Sequence, residues 1–315
     1  MSPPPPSVQL ESKDCPLHPG AADEPVLSAG DRLNGVEGEF QVVRCSVCGL
    51  LRTNPRPTAS SMGAYYPDHY APYLGTKTSA HPPAQAAWRR YARRWAESNA
   101  QRLPALPPGR VLELGCASGA FLRGLVSAGW QGAGIEYSSS AAENARQAGL
   151  VVHTGSVETA PEPAVPYDLI VAWMVFEHLH DPLGTLRMLH RWSQPGAWLV
   201  LSVPNAAALE FKLFRQHWYA LQLPTHLYHY TPTTLRAVLE RGGWRMQRMF
   251  HQRVLGNLVG SVGLALEGRV PLAERLVRLP STRGWSLRAP LFPLATLLAT
   301  LGQTGRMTIW ARRHA

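Results

Sequence analysis

The stretch VLELGCASG, residues 111–119, decides the fold. It reads as an apolar strand ending at Leu114, a turn of small residues, and a helix opening at Gly119. Gly115 lets the chain turn sharply, while Ala117 and Gly119 keep bulk away, so that a nucleotide-like ligand can approach the backbone. Backbone N–H groups at the helix start then face that ligand. The next apolar run, GAGIEY (132–137), places Glu136 21 positions after Gly115, where a carboxylate can accept both hydroxyls of a ribose.

Outward from this unit, short apolar runs alternate with helical patterns from residue 110 to 251, the signature of a parallel sheet. Strands are expected at 110–115, 132–137, 150–155, 168–173 and 198–203, with a sixth at 244–250 and a last at 307–313. Helices are expected at 119–128, 139–148, 183–192 and 232–242. A further helix is expected over 83–104, where Trp88, Tyr91, Ala92 and Trp95 recur at helical spacing before Pro104, Pro107 and Pro108 end it. The chain thus divides into a Pro-rich leader and cysteine-bearing module (1–82), a sheet core (83–251), an apolar and Arg-rich helical insert (252–304) and the last strand (305–315).

The run Glu113-Leu-Gly115-Cys-Ala117-Ser-Gly119 resembles the acidic-x-Gly-x-Gly-x-Gly motif of class I S-adenosylmethionine-dependent methyltransferases. The resemblance implies an α/β fold with a Rossmann-like, mostly parallel sheet of seven strands and S-adenosylmethionine as cofactor. It puts Glu113 near the methionine ammonium and Glu136 on the ribose. Two positions depart from the pattern. The middle glycine is Ala117, and the residue after Gly155, usually acidic and facing the adenine amine, is Ser156, which can still hydrogen-bond there. Residues 167–205 resemble the small-molecule branch of these enzymes, marked by Glu177-His178, Asp181-Pro182, Gln194-Pro-Gly196 and Pro204-Asn205. Glu177 and His178 read first as residues that cap and brace the loop, because only one of two neighbouring side chains can face the cofactor if strand alternation persists.

Cys15-Pro-Leu-His18 precedes Cys45-Ser-Val-Cys48-Gly49, and two ligand pairs with this spacing suit a tetrahedral zinc ion. Four protein ligands leave no open position, so such a zinc is structural. The same branch commonly begins with two Cys-x-x-Cys pairs followed by an Asn-Pro-Arg-Pro run, and here Asn54-Pro-Arg-Pro57 follows the second pair. His18 stands where that branch has cysteine.

On the acceptor side, His217-Trp218 and Leu223-Pro-Thr-His226-Leu-Tyr-His229 cover the carboxyl edge of the sheet, where ligands bind in open α/β folds. The family places a histidine at this point, and His226 is the expected general base, since an imidazole titrates near working pH. In sugar C-methyltransferases of similar layout a Glu precedes it. Thr225 stands there in this chain, a departure that weakens the carbon-methylation reading. Tyr66 and Tyr70 are candidates to line the pocket from the N-terminal side.

With 45 % hydrophobic residues the chain can bury a sizeable core, which excludes a globally disordered protein. No apolar run reaches the roughly 18–20 residues of a spanning helix, and Met1 to Val8 lacks the features of a signal peptide. A soluble, cytoplasmic protein is expected. The net charge of +10 suits an acidic partner, nucleic acid or an anionic membrane, or reflects a general Arg bias. The insert carries six arginines (Arg253, Arg269, Arg275, Arg278, Arg283, Arg288) against Glu267 and Glu274, so it reads either as helices peripheral to the inner membrane face or as a lid or dimer contact. The expected function is methyl transfer to a small-molecule acceptor, an oxygen or activated carbon of a sugar, a quinone-like compound or another metabolite. An RNA methyltransferase with a zinc module is the alternative, disfavoured because no aromatic-basic stacking platform is evident. A non-catalytic binding module is the third reading, which the intact glycine turn opposes.

Overall fold

A computed structural model describes residues 5, 7–66, 98–278 and 285–314. In chain order the N-terminal part holds β1 (Leu10–Glu11), β2 (Asp23–Gly30), β3 (Glu39–Cys45), β4 (Leu51–Thr53) and β5 (Arg56–Pro57). There follow β6 (Arg110–Leu114), α1 (Ala120–Ser127), β7 (Gln131–Glu136), α2 (Ser139–Gln147), β8 (Val151–Thr154), β9 (Tyr167–Trp173), α3 (Pro182–Arg191) and β10 (Ser193–Pro204). The remainder comprises α4 (Leu209–Phe214), β11 (Tyr228–His229), α5 (Pro232–Arg241), β12 (Trp244–His251), α6 (Gly256–Ala265), α7 (Ala273–Arg278), α8 (Trp285–Thr300) and β13 (Arg306–Arg313).

Seven strands form the main sheet in the order β12-β13-β10-β9-β6-β7-β8. The pairs within β10-β9-β6-β7-β8 are all parallel, and β13 runs antiparallel between β10 and β12. The order reverses between β6 and β9, and that switch point opens a crevice at the carboxyl ends of the strands. Each expected core strand and helix forms within a few residues of its expected limits. Local chemistry fixes the helix starts. Ser138 accepts from Ala141 N–H, Asp181 accepts from Gly184 N–H with Pro182 behind it, and Thr231 and Thr234 close a capping box before α5. β10 extends upstream of its expected start because Ser193 pairs with Tyr167 before the register shifts at Trp198.

Three features differ from the sequence reading. First, of the helix expected over 83–104, residues 83–97 lie outside the described residues, and 98–104 run without regular structure. That stretch is fixed by β13: Thr308 Oγ1 donates to the Asn99 carbonyl at 2.8 Å and Trp310 Nε1 to the Arg102 carbonyl at 2.8 Å. Second, the N-terminal part shows no strand periodicity, yet it forms a four-stranded sheet, β11-β4-β3-β2, whose edge β11 comes from the acceptor-side segment. Third, of the apolar residues that recur at helical spacing in the insert (Leu255, Leu258, Val259, Val262 and Leu266), Leu255 is buried just before α6 and the other four are only half-buried along and just after it. The buried face of α6 is Asn257, Gly260, Ser261, Gly263 and Leu264, because a helix this close to its neighbours needs small residues. A Cβ on Gly260 would fall 2.3 Å from Tyr219 and one on Gly263 2.7 Å from the backbone of α7. Among the described residues no helix is long and apolar enough to cross a membrane.

Candidate active site and metal-ligand clusters

After β6 the chain reverses through Gly115, Ala117 and Gly119, all with positive φ (64°, 46° and 74°). A Cβ at Gly115 would meet Val175 at 2.5 Å and one at Gly119 would meet Leu150 at 2.1 Å, so both positions need glycine for space as well as angle. Ala117 adopts the left-handed conformation without being glycine, at a cost on the order of 1 kcal/mol. Glu136, at the end of β7, stabilises this turn. Its Oε2 accepts from Ala117 N–H and its Oε1 from Ser138 N–H, each at 2.8 Å.

Glu113 lies beneath the turn, 3 % exposed, and its Oε2 has no hydrogen-bond partner among the described residues. Burial, reinforced by the charge of Glu136, pushes its carboxyl up to about 8 against the opposing pull of the Leu122 N–H. Ser156 follows β8, whose Thr154 pairs with Glu136. The structure therefore brings Glu113, Gly115, Ala117, Gly119, Glu136 and Ser156 to one end of three adjacent strands. An orphaned buried carboxylate oxygen below a backbone cradle is what a cationic, ribose-bearing cofactor would complete.

Across the switch point, β9 leads into a 3-10 turn, Phe176–His178. The turn replaces strand alternation, so Glu177 and His178 both face His226, an outcome the alternation argument could not foresee. Their rings and carboxylate converge: one nitrogen of His178, one of His226 and one oxygen of Glu177 lie within 4.8 Å of one another. His226 is buried; its Nδ1 donates to the Ala220 carbonyl at 2.9 Å, and its Nε2 lies 4.0 Å from Glu177 Oε1. His178 Nδ1 donates to the Thr225 carbonyl at 2.9 Å and lies 3.0 Å from Tyr66 Oη. Burial, and then the neighbouring His178 and His229, hold His226 well below the usual imidazole range, so it is neutral. Burial likewise lifts the Glu177 carboxyl to about 8. Two N-terminal strands, β4 of the four-stranded sheet and β5, which pairs with β1 in a separate two-stranded sheet, secure this region, since Thr53 Oγ1 donates to the His226 carbonyl at 2.7 Å and Arg56 donates to the His180 carbonyl at 3.0 Å. Of the two tyrosines, Tyr66 reaches the cluster, and Tyr70 lies outside the described residues.

The cysteine cluster forms at the far end of β3. Cys15, Cys45 and Cys48 bring their sulfurs within 4.8 Å of one another, with Cys15 and Cys48 3.5 Å apart. Gly49, at φ 73°, lets its N–H return to the Cys45 carbonyl and closes the knuckle. Burial opposes ionisation of Cys45, but the N–H groups of Cys48 and Val47 outweigh it and hold that thiol below its usual range. Three converging thiols with one favoured as thiolate fit zinc chemistry. His18 is exposed and stands outside this group, although its N–H donates to the Cys15 carbonyl at 3.1 Å.

A glycine turn, two acids on adjacent parallel strands and an antiparallel seventh strand define the class I cofactor-binding sheet. The family described as "Methyltransferase domain" matches residues 87–248, just over half of the chain, and the protein belongs to that family. Among curated proteins it is 28 % identical over 147 residues to a ubiquinone biosynthesis O-methyltransferase of Bordetella avium, covering 42 % of this chain and 61 % of that one. The corresponding enzyme of Xanthomonas campestris pv. campestris is 29 % identical over 156 residues, covering 45 % of this chain and 65 % of the relative. The chain thus spans somewhat under two thirds of these relatives. Among solved structures, the 4+2 cyclase SpnF superposes with a TM-score of 0.50 at 20 % identity, over 82 % of this chain and 97 % of that one, a likeness of fold alone.

Proposed function

We propose that this protein transfers a methyl group from S-adenosylmethionine to a hydroxyl oxygen of a small molecule, with quinone-like phenols the first acceptors to try and sugars the second. The observation that carries this reading is Glu136 bound to the backbone of the glycine turn, above the orphaned carboxylate of Glu113. The names of the curated relatives and the Thr225 in front of His226 support oxygen as the accepting atom. RNA has no comparable support.

When bound, the cofactor supplies a methyl group on a positively charged sulfonium, which needs no acid to leave. The chain's task is to position two reactants and remove one proton. Glu113 holds the ammonium, Glu136 exchanges its backbone partners for ribose hydroxyls, and Ser156 sits by the adenine amine. The neutral His226 accepts the acceptor's proton on Nε2. A structural zinc at Cys45, Cys48 and Cys15, with His18 turning inward as fourth ligand, anchors the strands that hold His226.

Calorimetry with S-adenosylmethionine tests the cofactor site. Glu136→Ala weakens binding by roughly 1–3 kcal/mol, the cost of unmade charged hydrogen bonds; unchanged affinity would remove Glu136 from the site. Glu113 gives a pH signature. Its free-protein carboxyl, pushed up to about 8, is mostly protonated at neutral pH, and an ammonium beside it lowers that value. Binding therefore releases a proton, and affinity rises from about pH 6 to about pH 8. Titrations in buffers of different ionisation enthalpy read the proton directly, and Glu113→Gln abolishes the slope. No proton release in wild type contradicts the assignment.

For the insert we favour peripheral contact with an anionic membrane, on the inner face of the cell. Leu294, Leu297 and Leu301 stand 44, 56 and 62 % exposed along one side of α8 and the turn after it, and arginines flank the segment. Full-length protein co-sediments with anionic liposomes at low salt and is released as screening shortens to about 10 Å near 0.1 M. Failure to bind at low salt leaves the lid or dimer reading.

A further inference from the structure

We propose that Glu177, His178 and His226 form a binding site for a divalent transition-metal cation, separate from the cysteine cluster. The argument begins with tautomers. A carbonyl oxygen can only accept, so the bond from His226 Nδ1 to Ala220 puts the proton on Nδ1 of that ring, and the shorter of the two His178 Nδ1 contacts, to the Thr225 carbonyl at 2.9 Å against 3.0 Å to Tyr66 Oη, favours the same tautomer there. Each Nε2 is left with a bare lone pair. An imidazole tied through one nitrogen to a main-chain carbonyl, with the other presented for ligation, is the arrangement that orients metal-bound histidines.

The third donor is unusual. Glu177 is fully buried, and neither carboxylate oxygen has a hydrogen-bond partner among the described residues. Two orphaned oxygens on one buried carboxylate are costly and ask for a missing partner. No residue described here donates to them. The histidine facing them, His226, has its Nε2 4.0 Å from Oε1, beyond hydrogen-bond reach in either direction, so no described group satisfies the oxygens. A cation satisfies the carboxylate and both lone pairs at once.

The geometry is close to loaded. His226 Nε2 and Glu177 Oε1 are 4.0 Å apart, and one ring nitrogen of His178 completes a set of three donor atoms within 4.8 Å of one another. Metal–ligand bonds of about 2.0–2.2 Å bring donors together by roughly a further ångström, within reach of side-chain rotation. The backbone is already committed, because Leu227 N–H donates to the Glu177 carbonyl at 2.8 Å and joins the two segments that carry the ligands. Two imidazoles and one carboxylate select manganese, iron, cobalt or zinc over calcium or magnesium, and three protein ligands leave positions open on the half-buried His178 side. The site deepens the methyl-transfer reading in one respect only. Without the ion, His226 Nε2 accepts the acceptor's proton; with the ion, His226 would be a ligand and the ion would lower the pKa of the acceptor hydroxyl enough for its proton to leave to solvent.

The test needs neither cofactor nor acceptor, so its failure leaves methyl transfer untouched. Manganese(II) alone is titrated into full-length protein, and the free aqueous ion is followed by electron paramagnetic resonance. Manganese is chosen because thiolates bind it poorly. The expected result is one ion per chain, weakened about tenfold or more in the near-isosteric Glu177→Gln. Circular dichroism checks that this variant folds; if it does not, His178→Asn, at the half-buried position, takes its place with the same expectation. No bound manganese in wild type, or equal binding by wild type and a folded variant, overturns the proposal.

Discussion

His226→Asn lowers methyl transfer by about 10²–10⁴-fold while leaving S-adenosylmethionine affinity unchanged. The asparagine amide keeps a donor for the Ala220 carbonyl, now held by Nδ1 at 2.9 Å, but has no basic nitrogen to put where Nε2 stands. The readout is release of S-adenosylhomocysteine with a panel of phenolic and sugar acceptors, paired with calorimetry for the cofactor. Because His226 is remote from the glycine turn in sequence and lies across the switch point, the loss falls on turnover. A variant that keeps full activity removes His226 from the mechanism. A variant that loses cofactor affinity as well points to a collapsed fold, which thermal unfolding would reveal.

Removing zinc has the second large effect. Protein purified without added metal carries about one zinc per chain, and Cys45→Ser loses it together with ordered structure in β2–β4. Structural zinc sites contribute on the order of 10 kcal/mol of folding free energy, far more than the two backbone hydrogen bonds, Gly49 N–H to Cys45 and Cys45 N–H to Leu50, that otherwise close the knuckle between β3 and β4. Activity falls too, since Thr53 at the end of β4 holds the His226 carbonyl. Elemental analysis is the check, and less than about a tenth of an equivalent in wild type counts against the site. His18→Ala sorts the ligands: it weakens zinc only if the exposed imidazole turns inward as fourth ligand.

Much of the main sheet is legible in the chain because each unit carries its own signals. The turn at Gly115–Gly119, the caps Ser138, Asp181 and Thr231, and the apolar runs of β6, β9 and β10 are local facts, and local facts survive in sequence. The geometry of the proposed cofactor end was legible for the same reason, since two strand ends and one turn set it. The acceptor end was not. Glu177 and His178 converge on His226 through a 3-10 turn, and strand alternation says the opposite. α6 packs through Gly260 and Gly263, so Leu258, Val259 and Val262 end half-buried beside the packing face rather than at its centre. The N-terminal strands carry weak periodicity because β4 is only three residues long and completes its pairing with β11, far away in the sequence.

That last pairing sets an order of events. β2, β3 and β4 can associate as soon as they exist, but the edge strand that completes their sheet, β11, is synthesised some 175 residues after β4. A contact of such long sequence separation forms late, because a large loop must close before it gains anything. The segment made earlier is therefore among the last to be finished, and until β11 arrives it is a three-stranded sheet whose β4 edge is unpaired. Early capture of metal by Cys15, Cys45 and Cys48 would hold that sheet together through the wait. Limited zinc would then show as poor yield of folded protein during growth well before it showed as reduced activity in the purified enzyme.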